Sequence, residues 1–199
     1  MRRKRSLPLS RVYRLLETGP VVLVTTARRG RPNVMPMSWH TMLDFEPPLV
    51  GCVVSDMNFT FENLKATREC VLNIPTVELA PAVVGCGNVS GRRVDKLARF
   101  GLTPAPALKL ACPIVAECPL NIECRVRRTM ELGSHTLFLA EVVAVQVTAD
   151  LVDAKDRLRV DRAGLMAFAH GHYFALGRHL GHFGFSVRKR PAAKRKKRA

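Results

Sequence analysis

Neither end of the chain contains an acidic residue, although the 199 residues together carry a formal net charge of +16. Four of the 32 basic residues lie within residues 1–9 and eight within residues 187–199, which leaves 20 basic against 16 acidic residues between these ends. That middle segment is close to neutral, at +4. The sequence therefore predicts one domain at 10–186, a basic N-terminal arm at 1–9 and a basic, disordered C-terminal tail at 187–199.

Long apolar runs and signal-peptide features are also missing. No apolar run approaches the roughly 18 residues of a membrane-spanning helix. Residues 7–11 (LPLSR) stand where a signal peptide would have its apolar core. The six cysteines include no C-x-x-C spacing, and several lie in apolar runs where a thiol packs as a small apolar side chain. These absences argue against a membrane span, a secreted disulfide scaffold and a zinc ribbon, and they predict a cytoplasmic protein.

The residues that are present, 47% apolar and 24% charged, suffice for a buried core and exclude a disordered chain. Runs of β-branched and apolar residues predict strands at residues 21–27, 33–42, 47–54, 70–74, 116–129 and 135–147. Short helices are predicted at residues 10–17, 60–68, 77–84 and 94–100. A glycine-rich loop is predicted at residues 85–91. This pattern predicts a mainly β chain, a β-barrel with short helices, rather than a parallel sheet with regularly alternating helices.

Two neighbouring segments carry the most specific local chemistry. Residues 55–60 (SDMNFT) link a predicted strand to a predicted helix and are rich in hydroxyl and amide groups. A helix N-terminus offers unpaired N–H groups to a phosphate, although Asn58 or Thr60 could instead simply cap the helix. Residues 35–40 (MPMSWH) surround the only tryptophan, and Pro36 indicates an irregular strand whose free backbone groups suit a flat ligand. The alternative is that Met37 and Trp39 are ordinary core residues.

Metal and hydrolase sites receive weaker support. Four histidines near the end of the chain suggest a metal site, but their spacing is irregular and glycines between them indicate loops, which favours packing or surface roles. They are His170, His172, His179 and His182. A triad of Ser38, His40 and Asp44 lacks the G-x-S-x-G surroundings of a hydrolase nucleophile.

Eight segments form an ordered pattern between about residues 10 and 182. They are PNVMPMSW (32–39), PPLV (47–50), Thr60 with Asn63, VLNIP (71–75), CG-x-x-SGR-x-x-DK (86–96), NIEC (121–124), GSH-x-LF (133–138) and YFALG (173–177). In this order they resemble the flavin reductase-like, FMN-binding split-barrel family, and its flavoredoxin-type branch most closely. Two positions depart from that pattern: Leu97 replaces a frequent phenylalanine, and Ser134 replaces an acid that often precedes the histidine.

The resemblance implies a homodimeric split β-barrel that binds FMN noncovalently near the subunit interface. The residues lining the flavin ring would be Met37, Ser38 and Trp39. The ribityl chain and phosphate would be served by Ser55, Thr60 and Asn63. Auxiliary contacts to the phosphate or the ring edge would come from Ser90, Arg92 and Lys96. The nicotinamide or acceptor side would hold His135 and Tyr173.

The implied function is an NAD(P)H-dependent flavin reductase, in which a hydride passes to the flavin and electrons continue to a small-molecule or protein acceptor. No protein acid or base is obligatory for this transfer, and His135 is the one candidate catalytic residue. Two alternatives stay open within the same chemistry: a flavoredoxin-like electron carrier, and a reductase of a metal or other small acceptor. A third alternative is a module that binds nucleic acid or another polyanion through the basic arms.

Overall fold

The computed structural model describes residues 19–155 and 157–181. The strands are β1 (Val22–Arg28), β2 (Arg31–Met37), β3 (His40–Phe45), β4 (Pro48–Ser55), β5 (Glu69–Ile74), β6 (Pro104–Ala105), β7 (Ile114–Val115), β8 (Leu120–Glu131), β9 (His135–Val147), β10 (Met166–Ala169) and β11 (His172–Ala175). The α-helices are α1 (Phe59–Thr67), α2 (Ala80–Gly87) and α3 (Lys96–Arg99). The predicted arms at 1–9 and 187–199 and the predicted helix at 10–17 lie outside the described residues.

Seven of the strands form one antiparallel sheet in the order β2-β1-β5-β8-β9-β4-β3. The long strands β8 and β9 pair in its middle, and β4 pairs with β9. Two small two-stranded sheets, β6 with β7 and β10 with β11, complete the strand pairing. The prediction of a mainly β chain with a few short helices is confirmed.

Strand β1 is buried on both faces and separates two apolar cores. Val22 and Val24 pack into the larger core, which also contains Phe138, whereas Leu23 packs into the smaller one, as does Val21 just before the strand. Alternate residues of a strand point to opposite faces, so the uninterrupted apolar run follows from burial on both sides. All six cysteines are buried free thiols, in agreement with their predicted packing role.

The prediction of a single strand at 33–42 is wrong, because the chain changes its pairing partner within that segment. β2 pairs with β1 as far as Met37, which lies opposite Val22. β3 begins at His40, opposite Cys52, and pairs with β4 instead. Ser38 and Trp39 therefore lie between two ladders, at a corner of the sheet that residue propensity alone does not reveal.

The largest other differences from prediction are in three helices and at the start of β8. The predicted helix at 77–84 is a 3₁₀ turn (Val77–Leu79) followed by α2, with Pro81 in the first turn of α2, where its missing N–H costs no hydrogen bond. Residues 85–87 of the predicted loop form the last turn of α2. α1 ends before Arg68, which adopts a left-handed conformation (φ 58°). α3 is limited to four residues. β8 starts four residues later than predicted.

Candidate functional site

A cleft of about 490 Å³ opens at the corner between β2 and β3. The junction between β4 and α1 forms its second wall, and the end of α2 with the following loop forms its third. Ser55 at the end of β4 lies directly opposite His135 at the start of β9 in the β4–β9 ladder. This register brings His135 into the same cleft as Trp39 and Ser55.

One group of residues that line the cleft is apolar and aromatic. Met37 lines it and is also part of the larger core, with only 6% of its surface exposed. The rings of Trp39 and His135 stack with centroids 5.2 Å apart and an interplanar angle of 29°. The Ser134 hydroxyl lies 3.0 Å from Nδ1 of His135 and forms a hydrogen bond with it. Ser134, which departs from the family pattern, therefore contacts His135 directly and helps to orient its ring.

A second group of lining residues is polar and includes the N-terminus of α1. Asn58, Phe59 and Thr60 line the cleft at this point. Among the described residues, the Asn58 side chain makes no capping hydrogen bond to the helix, so the alternative of a simple asparagine cap is not supported. Unpaired N–H groups at a helix N-terminus carry a partial positive charge and favour an anion.

Asn33 supplies an unpaired buried acceptor at the cleft wall. Its Nδ2 donates to Oγ1 of Thr60 at 2.9 Å, while its Oδ1 has no hydrogen-bond partner among the described residues. A Cβ placed on Gly91 would lie 1.9 Å from that oxygen, so only glycine fits beside it. Buried polar atoms are usually paired in proteins. Oδ1 of Asn63 is a second buried oxygen without a partner among the described residues, and neither oxygen is exposed to the cleft.

Lys96 places a buried positive charge at the cleft. Its side chain lines the cleft and donates from Nζ to the carbonyl oxygen of Cys86 at 2.8 Å. Burial lowers the pKa of Lys96, an effect that the neighbouring Cys86 partly opposes. Within the described part of the chain Lys96 has no carboxylate partner. Burial also raises the pKa of the Cys86 thiol to about 11, which keeps that thiol neutral near pH 7.

Ser90 and Arg92 lie in the loop after α2 and line the cleft. The Ser90 hydroxyl accepts a hydrogen bond from the Arg92 amide at 3.3 Å. The Arg92 guanidinium donates to Glu62 from Nε at 3.1 Å and to the carbonyl oxygen of Met57 from Nη1 at 2.8 Å. Arg92 therefore links this loop to the start of α1 and remains exposed beside the cleft.

Two residues proposed for the site lie outside this cleft. Asn63 is fully buried one layer behind it, where Nδ2 donates to Thr26 at 3.1 Å. Tyr173 lines a separate cavity of about 150 Å³, together with Phe168 and Ser38. Burial raises the pKa of Tyr173, so its hydroxyl is protonated near pH 7. Ser38 lines both cavities, which places Tyr173 beside the cleft but not in it.

Sequence reasoning missed Asn33, Phe59 and Gly91 as site residues. Asn33 lies within the motif at 32–39, on the same strand face as Met35 and Met37. A polar residue at an inward-facing strand position was an available signal, because such a group needs a partner. The close approach of Gly91 has no comparable signal in the sequence.

No group of three or more histidine, cysteine, aspartate or glutamate residues in 19–155 and 157–181 is arranged to hold a metal ion. His182 lies beyond the described residues. Among the helices that the structure describes, none has both the length and the apolar character to cross a membrane.

Comparison with known proteins identifies the family. The family model for the flavin reductase like domain matches residues 14–177. The chain belongs to the flavin reductase-like family. This membership confirms the resemblance inferred from the eight segments.

Relatives of this flavin reductase-like protein cover most of its length. An uncharacterized protein from Archaeoglobus fulgidus is 36% identical over 115 residues, which cover 58% of this chain and 65% of the relative. Flavoredoxin of Desulfovibrio vulgaris (Miyazaki F) superposes with a TM-score of 0.82 at 25% identity, covering 94% of this chain and 100% of that one. An FMN-binding protein from Thermus thermophilus superposes with a TM-score of 0.78 at 26% identity, covering 92% and 99%. The predicted fold, that of the FMN-binding split barrels, is thereby confirmed.

The packing of Gly91 on Asn33 yields a first prediction. Gly91→Ala should destabilise the fold by about 1–3 kcal/mol, since the added methyl group overlaps the Asn33 oxygen and forces the Asn33–Thr60 hydrogen bond apart. Urea unfolding followed by circular dichroism measures the change. Gly177→Ala is the control, because its methyl group would meet no atom within 4 Å. Equal unfolding midpoints for the two variants would contradict the close packing at Gly91.

Proposed function

We propose that this protein binds FMN in the 490 Å³ cleft and acts as an NAD(P)H-dependent flavin reductase. The observation that carries the proposal is that one cleft combines an aromatic pair with a helix N-terminus. In its lining, Trp39 stacks on His135. The same lining includes the start of α1 with Thr60. FMN combines groups that match these: a flat ring, a polyol chain and a phosphate.

The residues of the cleft fit this cofactor. Apolar and aromatic side chains in the cleft lining suit a flat ring, and the hydroxyl and amide groups there suit a polyol chain and a phosphate. The phosphate would be held at the start of α1 by Ser55, Thr60 and backbone N–H groups. Met37, Ser38 and Trp39 would line the ring, with Ser90 and Arg92 beside the phosphate end.

When bound, the flavin would supply the redox chemistry, accepting a hydride from a reduced nicotinamide and giving electrons to an acceptor. The protein would contribute binding, orientation and charge. The unneutralised cation of Lys96 favours any state of the ligand that carries more negative charge. His135, oriented by Ser134 and Trp39, would form the wall on the side proposed for the nicotinamide or the acceptor.

The solved relatives support a flavin and an oxidoreductase activity. The Thermus thermophilus protein is described as FMN-binding and has been crystallised with 1-cyclohex-2-enone and with p-hydroxybenzaldehyde. The Desulfovibrio vulgaris protein is a flavoredoxin. The similarity to flavoredoxin also supports the second candidate, a protein that carries electrons to a partner or small acceptor with little NAD(P)H oxidation of its own.

We further propose that two copies of the chain pair through the outer edge of the sheet. The edge strand β3 exposes three large apolar side chains, Met42, Leu43 and Phe45, and Phe45 is 91% exposed. An apolar edge strand of this kind is usually covered by a partner. Trp39 lies immediately before β3, so this pairing would place the cleft near the subunit interface.

Sedimentation equilibrium tests the pairing. The protein should behave as a dimer at micromolar concentration, and Phe45→Asp should shift it toward monomer by placing a charge in the apolar contact. Arg128→Asp, a charge change at an exposed residue of β8, is the comparison and should leave the mass unchanged. A wild-type monomer across the concentration range would overturn the proposed dimer.

Optical spectroscopy tests the proposed function. Protein incubated with FMN and then desalted should retain about one flavin per chain, visible as a shifted absorption band. Rapid mixing with NADH or NADPH without oxygen should bleach that band. A protein that takes up no flavin would overturn the whole proposal. Retained FMN that neither nucleotide bleaches would favour the electron-carrier alternative.

The contact between Thr60 and the phosphate yields a prediction for affinity. Thr60→Val keeps the shape of the side chain but removes the hydroxyl, and it should raise the Kd for FMN about 10-fold or more, as expected for a hydrogen bond to a charged group. The Kd for riboflavin, which lacks the phosphate, should change much less. Flavin fluorescence titration measures both values.

Thr67→Val is the matched control for that titration. Thr67 lies at the other end of α1 and donates to the carbonyl oxygen of Asn63 at 2.9 Å. Its substitution tests the effect of removing a helix hydroxyl away from the cleft. Equal losses of FMN and riboflavin affinity in Thr60→Val would show that Thr60 does not contact the phosphate.

A further inference from the structure

Five arginines lie on two segments that contact each other beside the cleft. Three lie at the turn between β1 and β2, and two lie in the loop after α2, which the turn contacts through Arg31. They are Arg28, Arg29, Arg31, Arg92 and Arg93. We call this group the arginine corner. Since the whole segment 10–186 carries a net charge of only +4, this corner is a local concentration of charge.

Arg31 links the two segments of the arginine corner. Its Nη2 donates to the carbonyl oxygen of Gly91 at 2.9 Å. Its guanidinium carbon lies 5.8 Å from the centre of the Phe59 ring, and that of Arg92 lies 5.9 Å from the same ring. A carbonyl bond and an aromatic contact thus hold the Arg31 side chain in one orientation.

The charge of Arg31 is not neutralised. Arg92 has Glu62 as its carboxylate partner, whereas Arg31 makes no ion pair with any residue in the described parts of the chain. Its Nη1 and Nε also donate no hydrogen bond there. A pre-oriented guanidinium with unused donors binds a phosphate through charge-assisted hydrogen bonds at little entropic cost.

The position of Arg31 distinguishes it from the groups proposed to hold the FMN phosphate. Gly91, Phe59 and Arg92 line the cleft, and Arg31 contacts all three while remaining exposed itself. A phosphate at the N-terminus of α1 would lie inside this wall. Arg31 would instead bind an anionic group of the ligand that extends past this wall toward solvent.

We infer that Arg31, supported by Arg92 and Arg93, forms a second phosphate subsite at the rim of the cleft. The inference rests on the proposed flavin function and extends it: the site takes an adenine dinucleotide whose diphosphate reaches past the cleft. That diphosphate has two possible sources, the adenylate half of FAD or a nicotinamide dinucleotide bound beside FMN. Both present the same chemistry to Arg31.

The test compares ligands with and without the outer phosphate. Kd values for FMN and FAD are measured by flavin fluorescence with wild type, Arg31→Gln and Arg99→Gln. Arg99 is the matched control, because its guanidinium also lies over a ring, that of Phe100 at 5.7 Å, and Phe100, unlike Phe59, does not line the cleft. Binding of NADP⁺ to the FMN-loaded protein is measured in parallel by calorimetry.

If FAD is the source, Arg31→Gln should weaken FAD about 10-fold while the Kd for FMN changes less than about 2-fold. If a nicotinamide dinucleotide is the source, the same loss should appear for NADP⁺ and the FAD-to-FMN ratio should stay constant. Either loss should shrink as salt is raised, because exposed charges are screened. Arg99→Gln should change none of these values.

Two further results guard the interpretation. Arg31→Lys keeps the positive charge and should retain part of the preference for the dinucleotide. An unchanged Kd for FMN in Arg31→Gln shows that the cleft is intact. The inference is overturned if wild type binds FMN but Arg31→Gln alters neither FAD nor NADP⁺, or weakens FMN and FAD by equal factors. A wild type that binds no flavin would overturn the proposed function itself.

Discussion

The exchange of pairing partner at Ser38 and Trp39 is the constraint on which the site depends. β2 pairs with β1 as far as Met37, and β3 pairs with β4 from His40 onward. The two residues between them lie outside both ladders, apart from the bond that the Trp39 carbonyl oxygen accepts from Val53 at 2.9 Å. The cleft forms where the two ladders separate. The pairing register of β4 with β9 places His135 in the lining of that cleft.

Local sequence patterns predicted β1, β4, β5, β8 and β9 because β-branched and apolar runs mark them directly, and the β1–β2 hairpin follows from the turn residues at 29–30. They did not predict the short strands β6, β7, β10 and β11. They did not reveal the corner at Ser38, since the alternation of apolar and polar residues continues through it. The identity of a strand's neighbour is a tertiary property. The last turn of α2 was missed for a different reason: the glycines at 85 and 87 disfavour a helix locally, and packing against β2 overrides that preference.

The predicted site residues divide by the kind of information that identified them. Those in the local motifs lie together in one cleft: Met37, Ser38, Trp39, Ser55, Thr60, Ser90, Arg92, Lys96 and His135. Asn63 follows Thr60 by three residues on α1, yet it points behind the cleft wall toward Thr26. Asn33 became evident only through its unpaired oxygen, because sequence shows that a residue is polar but not which of its atoms lacks a partner.

The stacking of Trp39 on His135 has a consequence for how the molecule can be observed. Trp39 is the only tryptophan in the chain, so all indole emission originates at the mouth of the cleft. In most proteins such emission averages several environments, but here it reports one position. A change in its intensity or wavelength is therefore a direct optical record of events at the cleft, without any label attached to the protein.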